Sequence, residues 1–326
     1  MMMKRALSGI QPSGKLHVGN YFGAIRQYVA LQDECDAYYF IADYHALTTV
    51  EDRDTMTANC HEVAAGLLAL GLSPERATVF RQSDVPEVTE LTWLLSCMAP
   101  VGLMERCHAY KDKVGQGVPA SMGLFGYPVL MAADILAYDS HVVPVGQDQK
   151  QHIEVARDIA GSFNHRYGEV FVLPEPYILD DVAVVPGLDG RKMSKSYGNV
   201  IEIFDDAKAI ERKIRRMETD CAPVEEPKDP DKCNVFALFK LFASPTEREA
   251  MSARYRQGGI GYGEVKQRIV ELFFQCFGEA RAKREDLERD PELVRAIYAD
   301  GAREARAKAR EVLDRARRAC GIGAAL

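Results

Sequence analysis

Over its first 190 residues the chain alternates short apolar runs with stretches of helical period, and beyond Tyr197 the alternation stops. The runs at 5–8, 37–41, 78–81 and 141–145 are too short for helices and predict buried strands. Helical patterns at 21–31, 54–70, 87–98, 122–137 and 147–163 follow them in turn. Strands separated by helices join a parallel sheet with helices on both faces. The expected fold is therefore α/β, with a doubly wound parallel sheet.

After residue 197 the strand-like runs vanish, and helices are predicted at 205–217, 235–242, 246–255 and 265–277, with a Pro- and acid-rich loop at 223–231. The Ala-, Arg- and Glu-rich stretch 292–320 carries Leu293, Ile297, Ala305, Val312 and Ala316 at spacings that favour one face. It predicts a long helix packing back on the body. Asp52 and Asp54 are placed to cap the helix at 54–70, and Gly71-Leu72-Ser73-Pro74 ends it.

At 326 residues and 47% hydrophobic content the chain has enough material for a large core. No apolar run reaches the about 18 residues a membrane span needs, and the first residues lack a secretory h-region. A cytoplasmic protein with no membrane partner is expected. Cysteines 35, 60, 97, 107, 221, 233, 276 and 320 form no CxxC element, and the histidines form no i, i+4 pair, so no zinc site is expected. The net charge of −7 argues against broad nucleic-acid binding. Between Arg191 and Arg216, however, eight basic residues face four acids, which reads either as a solvated helix face or as a contact for phosphate or RNA.

Two short motifs carry the chemistry. Pro12-Ser13-Gly14-Lys15-Leu16-His17-Val18-Gly19-Asn20 places small residues and a histidine where a strand turns into a helix, so backbone N–H groups can hold phosphate oxygens. Lys192-Met193-Ser194-Lys195-Ser196 puts two ammonium groups on a loop, where they can neutralise a departing pyrophosphate. Two further loops after strands, Ala42-Asp43-Tyr44-His45 and Pro144-Val145-Gly146-Gln147-Asp148-Gln149, can converge on the same cleft.

With Gly9-Ile10-Gln11-Pro12-Ser13-Gly14, His17-Val18-Gly19-Asn20, Met131-Ala132-Ala133-Asp134-Ile135-Leu136, the run from Val145 to His152 and Lys192 to Ser196, the chain resembles the bacterial-type tryptophanyl-tRNA synthetases of class I from about Arg5 to the C-terminal helix. The resemblance implies a Rossmann-like catalytic domain at 1–190 with the lysine loop at 191–197. A helical domain that binds tRNA at 198–290 and a C-terminal helix at 291–326 would follow. It implies L-tryptophan, ATP and tRNA(Trp) as substrates, Mg²⁺ as the ion that travels with ATP, and a homodimer.

The same resemblance assigns residues. Gln11, Pro12, Ser13, Gly19 and Asn20 would line the ATP site, the glycine because a Cβ would hold the nucleotide off. Gly146, Gln147 and Asp148 would meet the ribose and adenine, with the backbone near Val185 closing over the base. Lys192, Met193, Ser194, Lys195 and Ser196 would meet the phosphates, assisted by His17, Lys111 and Lys113. Asp134 would accept the indole N–H, since a carboxylate on so apolar a helix face is costly unless something donates to it. Tyr127 and Gln149 would stand near the substrate amino group, and His45 and Met131 beside the ring. Leu7 stands where relatives carry an aromatic. Some relatives hold an iron–sulfur cluster on four cysteines, but here only Cys233 is suggestively placed, and Tyr255, Tyr262 and Val265 occupy the region of the others, so no cluster is expected.

Three other readings fit part of the pattern. A tyrosyl-tRNA synthetase shares the fold, yet Gly-Ile-Gln-Pro-Ser-Gly and Met-Ala-Ala-Asp favour tryptophan. A cytidylyltransferase also uses a His-x-Gly-His turn but does not explain the helical second half. A synthetase-like binding or regulatory module would not need the intact lysine loop.

Overall fold

The computed structural model describes residues 3–107, 110–111, 115, 117, 119–146, 149–178, 185–220 and 222–323. Among the described residues five strands form one parallel sheet: β1 (Arg5–Ile10), β2 (Asp36–Ile41), β3 (Ala77–Arg81), β4 (Val142–Val145) and β5 (Glu175–Ile178). Their spatial order is β3-β2-β1-β4-β5. The chain winds outward from β1 to β3, then crosses back to β4, so the order reverses between β1 and β4. That reversal leaves a crevice beyond the carboxyl ends of those two strands. The four expected strands are present. The fifth, the edge strand Glu-Pro-Tyr-Ile, was not expected: a glutamate and a proline open it, and only Tyr177 and Ile178 are strand formers.

Counting helices of six residues or more, the chain forms α1 (Arg26–Leu31), α2 (Arg53–Ala69), α3 (Glu87–Ser96), α4 (Met122–Leu136) and α5 (Lys150–Tyr167) around the sheet. Then follow α6 (Ala207–Arg215), α7 (Asn234–Phe242), α8 (Pro245–Gln257), α9 (Tyr262–Arg289) and α10 (Pro291–Cys320). Local signals fix the ends. Asp52 accepts from Thr55 N–H at 2.7 Å to cap α2, Ser121 accepts from Leu124 N–H at 3.1 Å to cap α4, and Ser244 with Glu247 forms a capping box on α8. α9 runs twelve residues past its expected end at 277, because nine of the residues from 278 to 289 are Ala, Arg, Lys or Glu, all strong helix formers. The segment at 21–31 is not one regular helix: Val18–Asn20 leads into a π-turn at Tyr21–Ile25 before α1. Such turns concentrate at functional sites.

The apolar core on one face of the sheet runs without a break from Ile41, Val63, Leu67 and Val79 into Val235, Phe239, Phe273 and Phe277 of the helical region. On the other face Leu7, Tyr38 and Phe80 pack with α3, α4, α5 and the Ala-rich side of α10. α10 lies directly on β3, and a Cβ at Gly301 would collide with the Val79 backbone. This close approach sets the buried face at Val294, Tyr298, Ala302, Ala305, Ala309, Val312 and Ala316. Leu293, expected on that face, lies one position out of phase and is exposed. Asp139, just after α4, clamps the far end of α10 through Arg315 at 2.5 Å and Lys308 at 2.7 Å.

Candidate active site

Two adjoining cavities open at the β1–β4 crevice. One, about 280 Å³, is lined by Leu7, Val143, Val145 and Gly146; the other, about 380 Å³, by Gln11, His45 and Tyr127. They share Gly9, Phe40, Met131, Asp134 and Gln149, and the five side chains expected around an amino acid, Asp134, Tyr127, Gln149, His45 and Met131, all line this space. Leu7 offers no aromatic face there, but Phe40 does. A larger cavity, about 560 Å³, lies between α2, Arg81 and α10, and carries none of the motif residues.

Asp134 forms the floor. It is 2% exposed, on the sheet side of α4, and burial pushes its carboxyl above the usual range against the opposing pull of His45 and Gln82. Gln82 Nε2 donates to Oδ1 at 2.7 Å and to Oδ2 at 2.8 Å, and His45 Nε2 lies 2.9 Å from Oδ2. A charge so deep needs such donors, since an unpaired carboxylate here would cost several kcal/mol, roughly. His45 thus does more than border the ring space. Gln82 is a site residue that sequence reasoning missed, because Arg81-Gln82-Ser83-Asp84 reads only as a turn after a strand. Its one visible signal was position, at the carboxyl end of β3.

Tyr127 stands over this floor, its hydroxyl 3.5 Å from His152 Nε2 and its ring edge-on to those of His45 and His152. His152, which ends the motif run from Val145 and had no role assigned, reaches the cavity from the first turn of α5. Gln149, at the N-cap of α5, donates its N–H to Gly146 O at 2.9 Å.

The phosphate end is built differently. His17 is the N-cap of the short helix Val18–Asn20: its Nδ1 accepts from Asn20 N–H at 3.3 Å, and its own N–H donates to Asn20 Oδ1 at 3.0 Å. This reciprocal pair gives Asn20 an intramolecular reason to replace a second histidine. With Nδ1 accepting, the ring proton sits on Nε2. Burial, aided by the Lys195 charge, lowers the His17 pKa to about 4, so the ring is neutral at pH 7. At Gly19 a Cβ would meet the His17 ring at 3.0 Å, so the glycine is required by the protein's own histidine and not only by an incoming nucleotide.

The two distant motifs meet here. Lys195 Nζ donates to Ser13 O at 3.1 Å and to Ser13 Oγ at 3.3 Å. Burial lowers its pKa, while Glu62 and Glu202 act to raise it. The loop is shaped by Asn199, which is buried: its Oδ1 accepts from Ser194 N–H at 2.8 Å, and its Nδ2 donates to Asp189 at 2.6 Å and Lys192 O at 3.2 Å. Met193 N–H donates to Val185 O at 2.8 Å, so Val185 anchors the loop's first strand-like arm. Ser194 and Ser196 hydroxyls lie 2.8 Å apart, and Lys192 is exposed. Asn199 too was missed.

Lys111 is exposed, and among the described residues no hydrogen bond or ion pair joins it to the lysine loop. Lys113, Gln147 and Asp148 lie outside the described residues. The basic stretch 191–216 is partly neutralised at home: Arg191 pairs with Asp189, Lys213 with Glu202 and Asp205, and Arg215 with Glu211. Asp205 also holds Lys15 of the first motif at 2.8 Å, tying that loop to the helical region. Among the described residues no group of three or more His, Cys, Asp or Glu side chains is placed to hold a metal ion. The Cys233 thiol caps α7 by accepting from Phe236 N–H and lies 3.8 Å from Tyr255 Oη. No described helix is long and apolar enough to cross a membrane.

Residues 3–278 match the family model described as tRNA synthetases class I (W and Y). The chain is 58% identical, over 98% of its length and 99% of the relative's, to the Tryptophan--tRNA ligase of Rhodopirellula baltica, and 51% identical, over 98% of each, to that of Fusobacterium nucleatum. Its fold is similar to the crystal structure of tryptophanyl-tRNA synthetase from Campylobacter jejuni complexed with ADP and tryptophan, with a TM-score of 0.92 at 47% identity, covering 98% of this chain and 100% of that one. A family match over most of the chain, together with such identity at near-complete coverage, leads to one conclusion: the chain belongs to the class I tRNA synthetases for tryptophan and tyrosine, and within them to the tryptophan--tRNA ligases.

Proposed function

We propose that this chain activates L-tryptophan with ATP and transfers it to tRNA(Trp), using the crevice between β1 and β4. The observation that carries the reading is the buried, hydrogen-bonded Asp134 on the wall shared by both cavities. Indole N–H donates and cannot accept, so a fixed carboxylate suits it. Tyrosine would bring a hydroxyl of different reach, and phenylalanine would leave the carboxylate unpaired. Met131, Phe40 and Leu7 supply the apolar walls; Tyr127 and Gln149 hold the amino group.

The substrate carboxylate is already ionised at neutral pH, so its oxygen attacks the α-phosphorus without a general base. The new O–P bond makes a mixed anhydride, the acyl adenylate, and the bond from the α-phosphorus to the pyrophosphate oxygen breaks. Gln11, Pro12, Ser13 and the helix start at Gly19-Asn20 receive the nucleotide, with Gly146, Gln147, Asp148 and Val185 toward the adenosine. Neutral His17 offers its Nε2–H to a phosphate oxygen. Lys195, held on Ser13 in the structure, moves to the phosphates with Lys192, Ser194 and Ser196, supported by Lys111 and Lys113. When bound, Mg²⁺ would travel on the ATP phosphates and neutralise part of their charge, keeping much of its water. The terminal ribose 2′-hydroxyl of the tRNA then attacks the carbonyl: the ester forms, the carbonyl–phosphate oxygen bond breaks, AMP leaves and the hydroxyl proton passes to solvent.

The helical part at 198–290 is the proposed tRNA-reading surface, with the exposed Lys208, Arg212 and Arg216 as phosphate contacts, while α10 packs on the body. A cytoplasmic homodimer completes the proposal; the chain's one tryptophan, Trp93, is 70% exposed on α3 and is apolar surface that a second copy would cover. ATP–pyrophosphate exchange tests the reading: tryptophan supports exchange and charging of tRNA(Trp), and tyrosine does not. Equal exchange with tyrosine, or none with tryptophan, would refute it.

A further inference from the structure

Asp134 does not hold its position alone. Gln82 is 1% exposed, and its Oε1 accepts from Tyr44 N–H at 3.0 Å. That contact fixes which way the amide faces, because only an oxygen can accept there; the N–H₂ end must point at Asp134. Asp43 locks the arrangement from outside. Its Oδ1 accepts from Tyr44 N–H at 3.1 Å and Ser83 N–H at 3.0 Å, and its Oδ2 accepts from Ser83 Oγ at 2.5 Å. One carboxylate therefore joins the turn carrying His45 to the turn carrying Gln82. Among the described residues Asp134 Oδ2 takes two hydrogen bonds and Oδ1 one.

Building on the reading of Asp134 above, we propose that Gln82 is the positioning residue for tryptophan choice: its oriented amide pins the Asp134 carboxylate and leaves Oδ1 as the edge that receives the indole N–H. Gln82 touches no reacting atom. It acts by keeping a desolvated acid charged and aimed, a task burial opposes. The titratable and charged groups that face Asp134 are His45 and Asp43 from the β2-end turn, with Arg81 beyond Asp43, Tyr127 and Tyr138 from α4 and its end, and His152 from α5. All are unchanged when residue 82 alone is replaced, so differences between variants isolate its role.

The test compares KM for tryptophan in pyrophosphate exchange across pH for Gln82→Met and Gln82→Glu. Methionine fills the space without donating. Asp134 then protonates more readily, so KM rises by about tenfold or more as pH falls, while kcat at saturation changes little. Glutamate can still accept from Tyr44, but now faces Asp134 with a second carboxyl. One proton shared by the pair mimics the amide at low pH, and its loss makes the two charges repel, so KM rises as pH rises. Opposite slopes in the two variants are expected. Profiles parallel to the wild type in both, or losses equal at every pH, would overturn the proposal; if Gln82→Met does not fold, the slope of Gln82→Glu decides alone. Asp134→Asn is measured alongside. Should it abolish tryptophan preference while the Gln82 variants behave as wild type, only the role of Gln82 fails; should it leave preference unaltered, the reading of Asp134 fails first.

Discussion

At the amino-acid end of the cleft, Asp134 is buried beneath three hydrogen bonds, two from Gln82, whose amide is fixed by the Tyr44 N–H, and one with His45, on turns that Asp43 ties together. At the phosphate end, Lys192 and Ser196 are exposed, and Lys195 rests on Ser13. The first arrangement has its desolvation cost settled during folding, so it is ready to discriminate before substrate arrives. The second leaves Lys192 in water and half-buries Lys195 on Ser13, so its cations are gathered only when phosphate charge is present. Selection favours a fixed group, because a misplaced acceptor rejects nothing. Stabilising a leaving pyrophosphate favours groups that engage more strongly as charge develops.

The contrast predicts that each end fails in its own kinetic constant. Lys195→Ala should lower the rate of adenylate formation by about 10²–10³-fold with tryptophan affinity unchanged, read by single-turnover kinetics and equilibrium titration. A parallel loss of tryptophan affinity would mean the two ends are not independent. Asn199→Ala removes the acceptor of Ser194 N–H and the donor to Lys192 O, leaving both lysines in place on a looser loop. Activation should slow by roughly tenfold, with the loss in kcat and ATP KM and not in tryptophan KM.

The smallest effect tests the support behind the fixed end. Asp139→Asn cuts the tie from the end of α4 to Arg315 and Lys308 of α10. Stability should fall by about 1–3 kcal/mol, seen as a drop of several degrees in Tm at pH 7. Burial pushes the Asp139 carboxyl up, but Arg315 and Lys308 outweigh it and hold it below its ordinary value. Its stabilisation is therefore present above the unfolded carboxylate pKa of about 3.9 and is lost as pH falls through the lower folded value, so wild-type and variant Tm converge in acid.

The same contrast governs what was legible in the sequence. The phosphate end is made of neighbours in the chain, such as His17 with Asn20 or Lys192 with Ser196, and contiguous motifs reveal it. Helix and strand periods likewise exposed four of five strands, and the Asp139 clamp to α10 explains why a long polar helix is retained on the body. The amino-acid end is assembled across the sheet. Asp134 stood out as a charge on an apolar helix face, but Gln82 has no local mark, because its partners lie 38 and 52 positions away. Only the packing of β3 beside β2 and α4 brings them together. Asn199 was hidden otherwise: it follows a motif whose lysines draw the attention, and its work is done on backbone atoms.

The central claim is that an indole N–H meets the Asp134 carboxylate, and one substrate pair isolates it: tryptophan against β-(3-benzothienyl)alanine, in which sulfur replaces that N–H. Wild-type kcat/KM for exchange should favour tryptophan by on the order of 10²–10⁴-fold. In Asp134→Asn the amide oxygen turns to Gln82 and His45 and its N–H₂ faces the indole, so the preference should shrink to within about tenfold. A preference of the same size in both proteins would contradict the account.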